Sequence, residues 1–273
     1  EQIRHDGGPN LVVDNKTGAG GRIAVEAVKA AEPDGNTILL TPSSMMMVYP
    51  FVYRNLRYDP QADFAPLSKA VSFPLGIAVS ASSGTQSFEE LVQRMKSNPA
   101  NASMGTPGAG TVPHFMTLQL KEATGVNIVH APYRGGPPAI ADLMAGQIGA
   151  VINPIGDFLP LQQDRKLRIV AVSSPERSPL LPQVPTLREL GYTQLAATEW
   201  YAFFLPAKTP QAVVQRLNAA IAKALQSGTV KDRLTQLGFE VRSSTPQELA
   251  EQLRQDMAQW GPIVKRSGFV AEE

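Results

Sequence analysis

Cysteine is absent from the 273 residues, and that single absence removes disulfides, thiolate metal sites and a cysteine nucleophile together. It leaves the compartment open between cytosol and periplasm. Charge of one sign is also lacking. Twenty-five basic side chains face 24 acidic ones for a formal net charge of +1, and the two signs are mixed along the chain, so no polybasic face offers itself to nucleic acid. No apolar run reaches the roughly 18 to 20 residues of a membrane helix. The histidines, His5, His114 and His130, have neither HxH nor HxxxH spacing, and a GxSxG elbow is missing, so zinc and serine-hydrolase chemistry have no motif to rest on. Asp142, Asp157 and Asp164 can be paired into a general acid and base only on paper. The chain opens on Glu1-Gln2-Ile3-Arg4, with neither a methionine nor a signal peptide's basic and apolar regions. This reads as the tail of a helix ending at Gly7-Gly8, with the expectation that an upstream segment has been removed.

What is present is an apolar core in an α/β rhythm. A chain of this length, 43% hydrophobic and 18% charged, buries enough surface for one large or two ordinary domains, and two lobes are expected. Asn10 to Asp14 reads as a strand. The glycine turn Gly18-Ala19-Gly20-Gly21 follows, then a helix with Val25 and Val28 inside, the turn Asp34-Gly35, and a strand from Thr37 to Thr41. That is a βαβ unit and predicts a parallel pair. Pro42 to Met47 reads as a loop past the strand's end. A tyrosine- and proline-rich connection runs from Tyr49 to Pro66, before a strand Leu75 to Val79 and a helix capped near Ser87. Later units are the strand Ile148 to Asn153, the strand Arg168 to Val172, an aromatic strand Trp200 to Leu205, and a helical last quarter opening at Pro210.

Two stretches organise the rest. Gly105-Thr106-Pro107-Gly108-Ala109-Gly110-Thr111 and Pro132-Tyr133-Arg134-Gly135-Gly136 each follow a strand and each open a helix, from Val112 and from Pro137. A glycine turn feeding a helix leaves backbone N–H groups unpaired with the positive end of the helix dipole behind them, which suits an anion. The dinucleotide fingerprint fails at Gly18 to Gly21, because Ile23 stands where a third glycine or alanine belongs and Leu39-Leu40-Thr41 has no acid. The nucleotide-phosphate loop fails at Gly105 to Thr111, where no lysine precedes the threonine. For Arg134 two readings stand side by side, a structural pair with a nearby carboxylate or carbonyl and bidentate recognition of a ligand carboxylate. His114 reads as a capping or packing histidine. Trp200 and Met45 to Met47 read as core.

The succession GAGG, PDGNTILLTPSS, YRNLRYDPQADFAPL, GTPGAGTVPH, HAPYRGGPPA, AGQI, SPERSPLLPQVPTLRELGY and WYAFFLPAKTP resembles the Bug (TctC-like) family. These are periplasmic solute-binding proteins of tripartite tricarboxylate transporters, and the similarity runs through the whole chain in order. The resemblance implies an α/β, two-lobed periplasmic-binding-protein fold of the Venus-flytrap kind, with mixed sheets flanked by helices. Residues 1–82 plus 205–273 would form lobe one and residues 83–204 lobe two, with ligand cleft and hinge between them. It implies capture of a small carboxylate by backbone amides, hydroxyls and water, without chemistry on the ligand, and delivery to membrane transporter subunits by a monomer that binds no nucleic acid and needs no metal or cofactor. A sensor partner without a transport role, or an α/β enzyme acting on a carboxylate, are the competing readings.

Carried over by position, Gly20, Gly21, Ser43, Ser44 and Met46 would line the ligand from lobe one, and Thr106, Gly110, Thr111, Arg134, Gly135, Gly136 and Asn153 from lobe two, with Trp200 near the hinge. Two departures stand out. The strand, PFPPGG-type loop and helix that precede the equivalent of Asn10 in the family are missing apart from a helix tail at Glu1 to Arg4. Asn153 stands where an acidic residue often follows the AGQ strand; a neutral amide would not compensate a buried ammonium, so the expected ligand is a mono- or dicarboxylate and not an amino acid.

Overall fold

A computed structural model describes residues 1–271; positions 272 and 273, the end of the expected 205–273 segment, lie outside the described residues. In chain order the strands are β1 (Leu39–Pro42), β2 (Phe64–Ser80), β3 (Ser103–Thr106), β4 (Val129–Pro132), β5 (Ala150–Pro154), β6 (Leu167–Val172), β7 (Thr198–Pro206) and β8 (Glu240–Val241). The chain divides into two units, Glu1–Ser72 with Trp200–Glu273, and Phe73–Glu199. Both crossings fall inside strands, in β2 and in β7, rather than at the expected 82/83 and 204/205. Pro74 explains the first. It has no N–H for the ladder, and it sits where β2 exchanges one set of partners, Val71 and Ser72 on β8, for another that begins with Leu75 on β5.

In the first unit the strand order is β1, β7, β2, β8. β1 lies antiparallel to β7 with Thr41 opposite Ala202, and β8 antiparallel to β2 with Val241 opposite Val71. The expected parallel βαβ unit is therefore not what forms. Asn10 to Asp14 is not a strand, and Val12 and Val13 are 92% and 82% exposed; an apolar stretch with no neighbouring strand gains neither ladder bonds nor a covered face. The expected loop after β1 is instead a short helix, Ser43–Met47, with Ser43, Ser44, Met46 and Met47 buried. Helices Gln2–His5, Arg22–Lys29, Tyr49–Val52, Gln211–Gln226, Gly228–Gln236 and Pro246–Ser267 also belong to the unit. The last starts with a capping box, Thr245 accepting from Glu248 N–H while the Glu248 carboxylate accepts from Thr245 N–H, and it stops at Gly268 in the left-handed region.

The second unit holds a mixed sheet in the order β6, β2, β5, β3, β4. β3 is parallel to β4 (Thr106 opposite Pro132) and to β5 (Gly105 opposite Val151), whereas β2 is antiparallel to β5 and β6. A contiguous core of Ala78, Leu143, Val151, Ile155, Phe158 and Val172, each fully buried, joins the sheet to helices Gly136–Met144 and Ile155–Gln163. Each of these side chains other than Ala78 contributes about 1.5–3 kcal/mol relative to exposure. The three parallel strands consequently end side by side, and the loops leaving β3, β4 and β5 share one edge of the sheet, where open α/β sheets place ligands.

Candidate functional site

The second unit brings most of the expected residues together at that edge. Tyr133 N–H donates to Thr106 O at 3.0 Å and Gly135 N–H to Pro107 O at 2.9 Å, so the β3 and β4 loops are tied into one surface. Gly110 lies in the left-handed region at φ 73°, and its N–H donates to His114 Nδ1 at 3.1 Å. That amide is thus spent inside the protein and leaves the anion seat. Gly108, Ala109 and Thr111 keep N–H groups without a partner among the described residues. Thr111 Oγ1 donates to Gly108 O at 2.7 Å and steadies the turn. On the second loop the helix opens Gly136-Pro137-Pro138, and the prolines supply no N–H, so Arg134 and Gly136 carry the open amides. Arg134 is exposed and makes no hydrogen bond or ion pair among the described residues. The structural-pair reading of this arginine therefore fails, and its guanidinium is left free on the same loop as the open amides of Arg134 and Gly136.

Below the β3 loop lies an arrangement that the spacing of the histidines concealed. His114 and His130 stack at 3.9 Å between ring centroids and 19° between planes. Thr106, fully buried, makes a 2.6 Å hydrogen bond through Oγ1 to His130 Nε2. Thr106 therefore supports the loop from beneath, with its hydroxyl turned inward. Because His114 Nδ1 accepts from Gly110, its neutral ring carries the proton on Nε2. Burial pushes His114 down to about 3, helped by the neighbouring His130, and burial pushes His130 down to about 4. Both rings are held neutral, and His114 ties down the turn before its helix through the Gly110 N–H and packs on His130.

At the end of β5, Asn153 is 1% exposed. Its Nδ2 donates to Asp157 Oδ2 at 2.6 Å, and its Oδ1 is buried without a partner. Asp157 is exposed as a residue, yet burial of its carboxyl raises its pKa. Gly136 lies against both, since a Cβ there would come within 2.0 Å of Asn153 Nδ2 and 2.9 Å of Asp157 Oδ2. The exclusion of an amino acid was argued from Asn153 as an isolated neutral amide. A carboxylate beside it removes that argument. Asp157 was missed as a site residue because its partnership with Asn153 is a first-turn helix contact across the β5 end; the other two aspartates go elsewhere, Asp142 to Tyr133 at 2.7 Å and Asp164 to Lys166 at 3.1 Å.

The first unit's candidates are mostly interior. Met46 is fully buried in the core of this unit; Met45 is the partly exposed one, its sulfur and methyl lying over Gly21. Ser43 and Ser44 are buried, with Ser43 Oγ accepting from Trp200 N–H at 3.5 Å. Trp200 donates Nε1–H to Asp256 Oδ2 at 2.8 Å and belongs to the core. Gly20 and Gly21 both have positive φ and open the helix from Arg22, and Gly20 O accepts from Tyr49 Oη at 2.9 Å.

A family model described as the tripartite tricarboxylate transporter family receptor matches residues 1–269. The chain belongs to this family. It is similar to a protein of the tcbD–tcbE intergenic region of Pseudomonas sp. strain P51, 33% identical over 94% of this chain and 76% of that one. Among solved structures it is similar to the periplasmic binding protein BugD at TM-score 0.91, 31% identical over 99% of this chain and 91% of that one. An R. palustris family structure with adipate matches at TM-score 0.91, 28% identical over 98% of this chain and 89% of that one. MatC from Rhodopseudomonas palustris with bound malate matches at 0.87, 28% identical over 96% and 90%. The fold is the periplasmic-binding-protein fold. Among the described residues no helix is long and apolar enough to cross a membrane.

Proposed function

We propose that the protein is a periplasmic receptor that binds a small mono- or dicarboxylate without transforming it and hands it to the membrane subunits of a tripartite tricarboxylate transporter. The observation that carries this reading is Arg134, an exposed guanidinium without an internal partner, on the same surface as the open amides of Gly108, Ala109, Thr111, Arg134 and Gly136. A carboxylate offers two oxygens to such a set, and charge-assisted hydrogen bonds to a guanidinium are about twice as strong as neutral ones. The family, and relatives solved with adipate and malate, support the ligand class. The stacked histidines are held as neutral loop supports, which suits binding better than catalysis. Delivery requires that the acid favour one form of the receptor, and only contacts absent from the other form can do that.

Thermodynamic linkage gives the test. An acid at about 100 times its Kd adds roughly 2.7 kcal/mol to the native state, so a panel of mono-, di- and tricarboxylates should contain at least one class that raises the melting temperature by several degrees. A cooperative melt that no acid shifts would refute the reading. Vesicles carrying the transporter subunits should take up the identified acid only when the receptor is added.

A further inference from the structure

The Asn153–Asp157 pair is short of donors: Asp157 Oδ2 accepts from Asn153 Nδ2, and Asn153 Oδ1 accepts from nothing. Its amide orientation is fixed, since turning Asn153 over would set Oδ1 against the Asp157 carboxylate, 2.6 Å from where Nδ2 now lies. Gly136 packs on the nitrogen side closely enough that no Cβ fits between. Oδ1 therefore faces away from its one neighbour and is buried with no donor, a condition native interiors rarely carry without a reason. Asp157 accepts from Asn153 alone and has no cation partner among the described residues. A ligand end made only of carboxylate oxygens would bring acceptors to acceptors and like charge to Asp157, whereas a donor would complete both groups.

We propose that the bound acid carries a hydrogen-bond-donating substituent, a hydroxyl or an ammonium, that is received by Asn153 Oδ1 and the Asp157 carboxylate. The proposal rests on the carboxylate-receptor reading above: Arg134 and the open amides take the carboxylate, and Asn153 with Asp157 select among acids by what else they carry. A buried acceptor built for a donor discriminates strongly against analogues that lack one, because it is then left unpaired. Gly136 connects the two parts, as it contributes an open amide to the seat and its Cα face to the pair.

The test is calorimetry with matched acids that differ only in the substituent: succinate, malate and aspartate, together with propionate, lactate and alanine, and glutarate, 2-hydroxyglutarate and glutamate. The expected result is that within the scaffold that binds, a substituted acid binds at least tenfold tighter than its parent. Asp157→Asn then separates the sources. It abolishes a preference for ammonium, which depends on the charge, and leaves a preference for hydroxyl, which Asn153→Leu removes. Where Asn153→Leu does not fold, the comparison of parent and substituted acids on the unaltered protein still decides the proposal. A parent acid that binds as tightly as both its substituted forms overturns the proposal and leaves the receptor reading intact, and so does a preference unchanged in both variants. Failure of every acid to bind the folded protein overturns the receptor reading and this proposal with it.

Discussion

Gly136→Ala is a one-carbon perturbation at the point where the loop after β4 meets the Asn153–Asp157 pair. The new Cβ would lie 2.0 Å from Asn153 Nδ2, 2.9 Å from Asn153 Cγ and 2.9 Å from Asp157 Oδ2, well inside van der Waals contact. Something has to move, and the amide is 1% exposed with little room. Displacing it breaks the 2.6 Å bond to Asp157 and leaves a buried donor beside the already unpaired Oδ1, about 1–3 kcal/mol. Overpacking adds about 1–3 kcal/mol, and the better helix propensity of alanine returns less than about 1 kcal/mol. The expected loss is roughly 2–4 kcal/mol, and at about 2–4 °C per kcal/mol for a large chain the melt followed by circular dichroism should fall by about 5–15 °C. Gly146→Ala is the contrast, because Gly146, unlike Gly136, lies in the left-handed region (φ +74°) while nothing lies within 4 Å of its Cβ position. It should lose only the conformational cost, about 1–2 kcal/mol. A Gly136→Ala protein that melts within about 1 °C of the parent and binds acids as well would refute the close packing of Gly136 on the amide.

Arg134→Gln should leave the melting temperature within about 1 °C, since the guanidinium has no internal partner, while weakening acid binding tenfold or more by calorimetry, the loss of a charged hydrogen bond worth about 1.5–3 kcal/mol. Stability should fall on acidification. The unfolded chain protonates its histidines near pH 6.5, but His114 and His130 hold out to about 3 and about 4 in the folded state. Between those limits the unfolded state binds more protons, so the stability is whole above pH 6.5 and declines towards pH 4 by at most about 1.4 kcal/mol per pH unit for each ring. The raised carboxyls of Asp157 and Asp256 work in the opposite direction and make the net slope shallower. Denaturant melts at pH 7, 6 and 5 should show the decline in the parent and a flatter profile in the double variant His114→Gln, His130→Gln; a parent profile that is flat over this range would contradict the buried neutral pair. Thr245→Ala removes the capping box of the last helix and should cost about 1 kcal/mol, read as a shift in urea midpoint without a change in slope. Met46→Ala, which empties a fully buried site, should cost about 2–5 kcal/mol, and a neutral result would return Met46 to the ligand-lining set.

Periodicity and caps were enough to read the helices after Ser87, Thr111, Pro210 and Thr245, because each carries its signal within one turn: Ser87 Oγ accepting from Glu90 N–H, or Thr245 paired with Glu248. The glycine turns after β3 and β4 were legible for the same reason, whereas for Arg134, inside the second turn, the sequence left a structural pair and a ligand contact side by side. Strand partners were not legible. β1 finds β7, some 160 residues away in sequence, and lies antiparallel to it, and no local pattern in Leu39–Pro42 encodes the direction of a strand that distant. Of the long β2, Phe64–Ser80, only Leu75–Val79 was legible; the strand runs on through Pro74, where its ladder partners change.

The sequence by itself determined the family, the absence of thiols and of histidine metal motifs, and the two glycine loops that open helices Val112–Thr124 and Gly136–Met144, since these depend on residue identity and short spacing. Tertiary structure decided which groups in those loops remain available. Gly110 N–H is taken by His114, the Thr106 hydroxyl by His130 and the Ser43 side chain by the Trp200 backbone, while Arg134 is left free and Asn153 is given a carboxylate for a neighbour. The physical reason is that a hydrogen bond used inside the protein cannot also be offered to a ligand, and which bonds are used inside depends on residues brought together from distant parts of the chain.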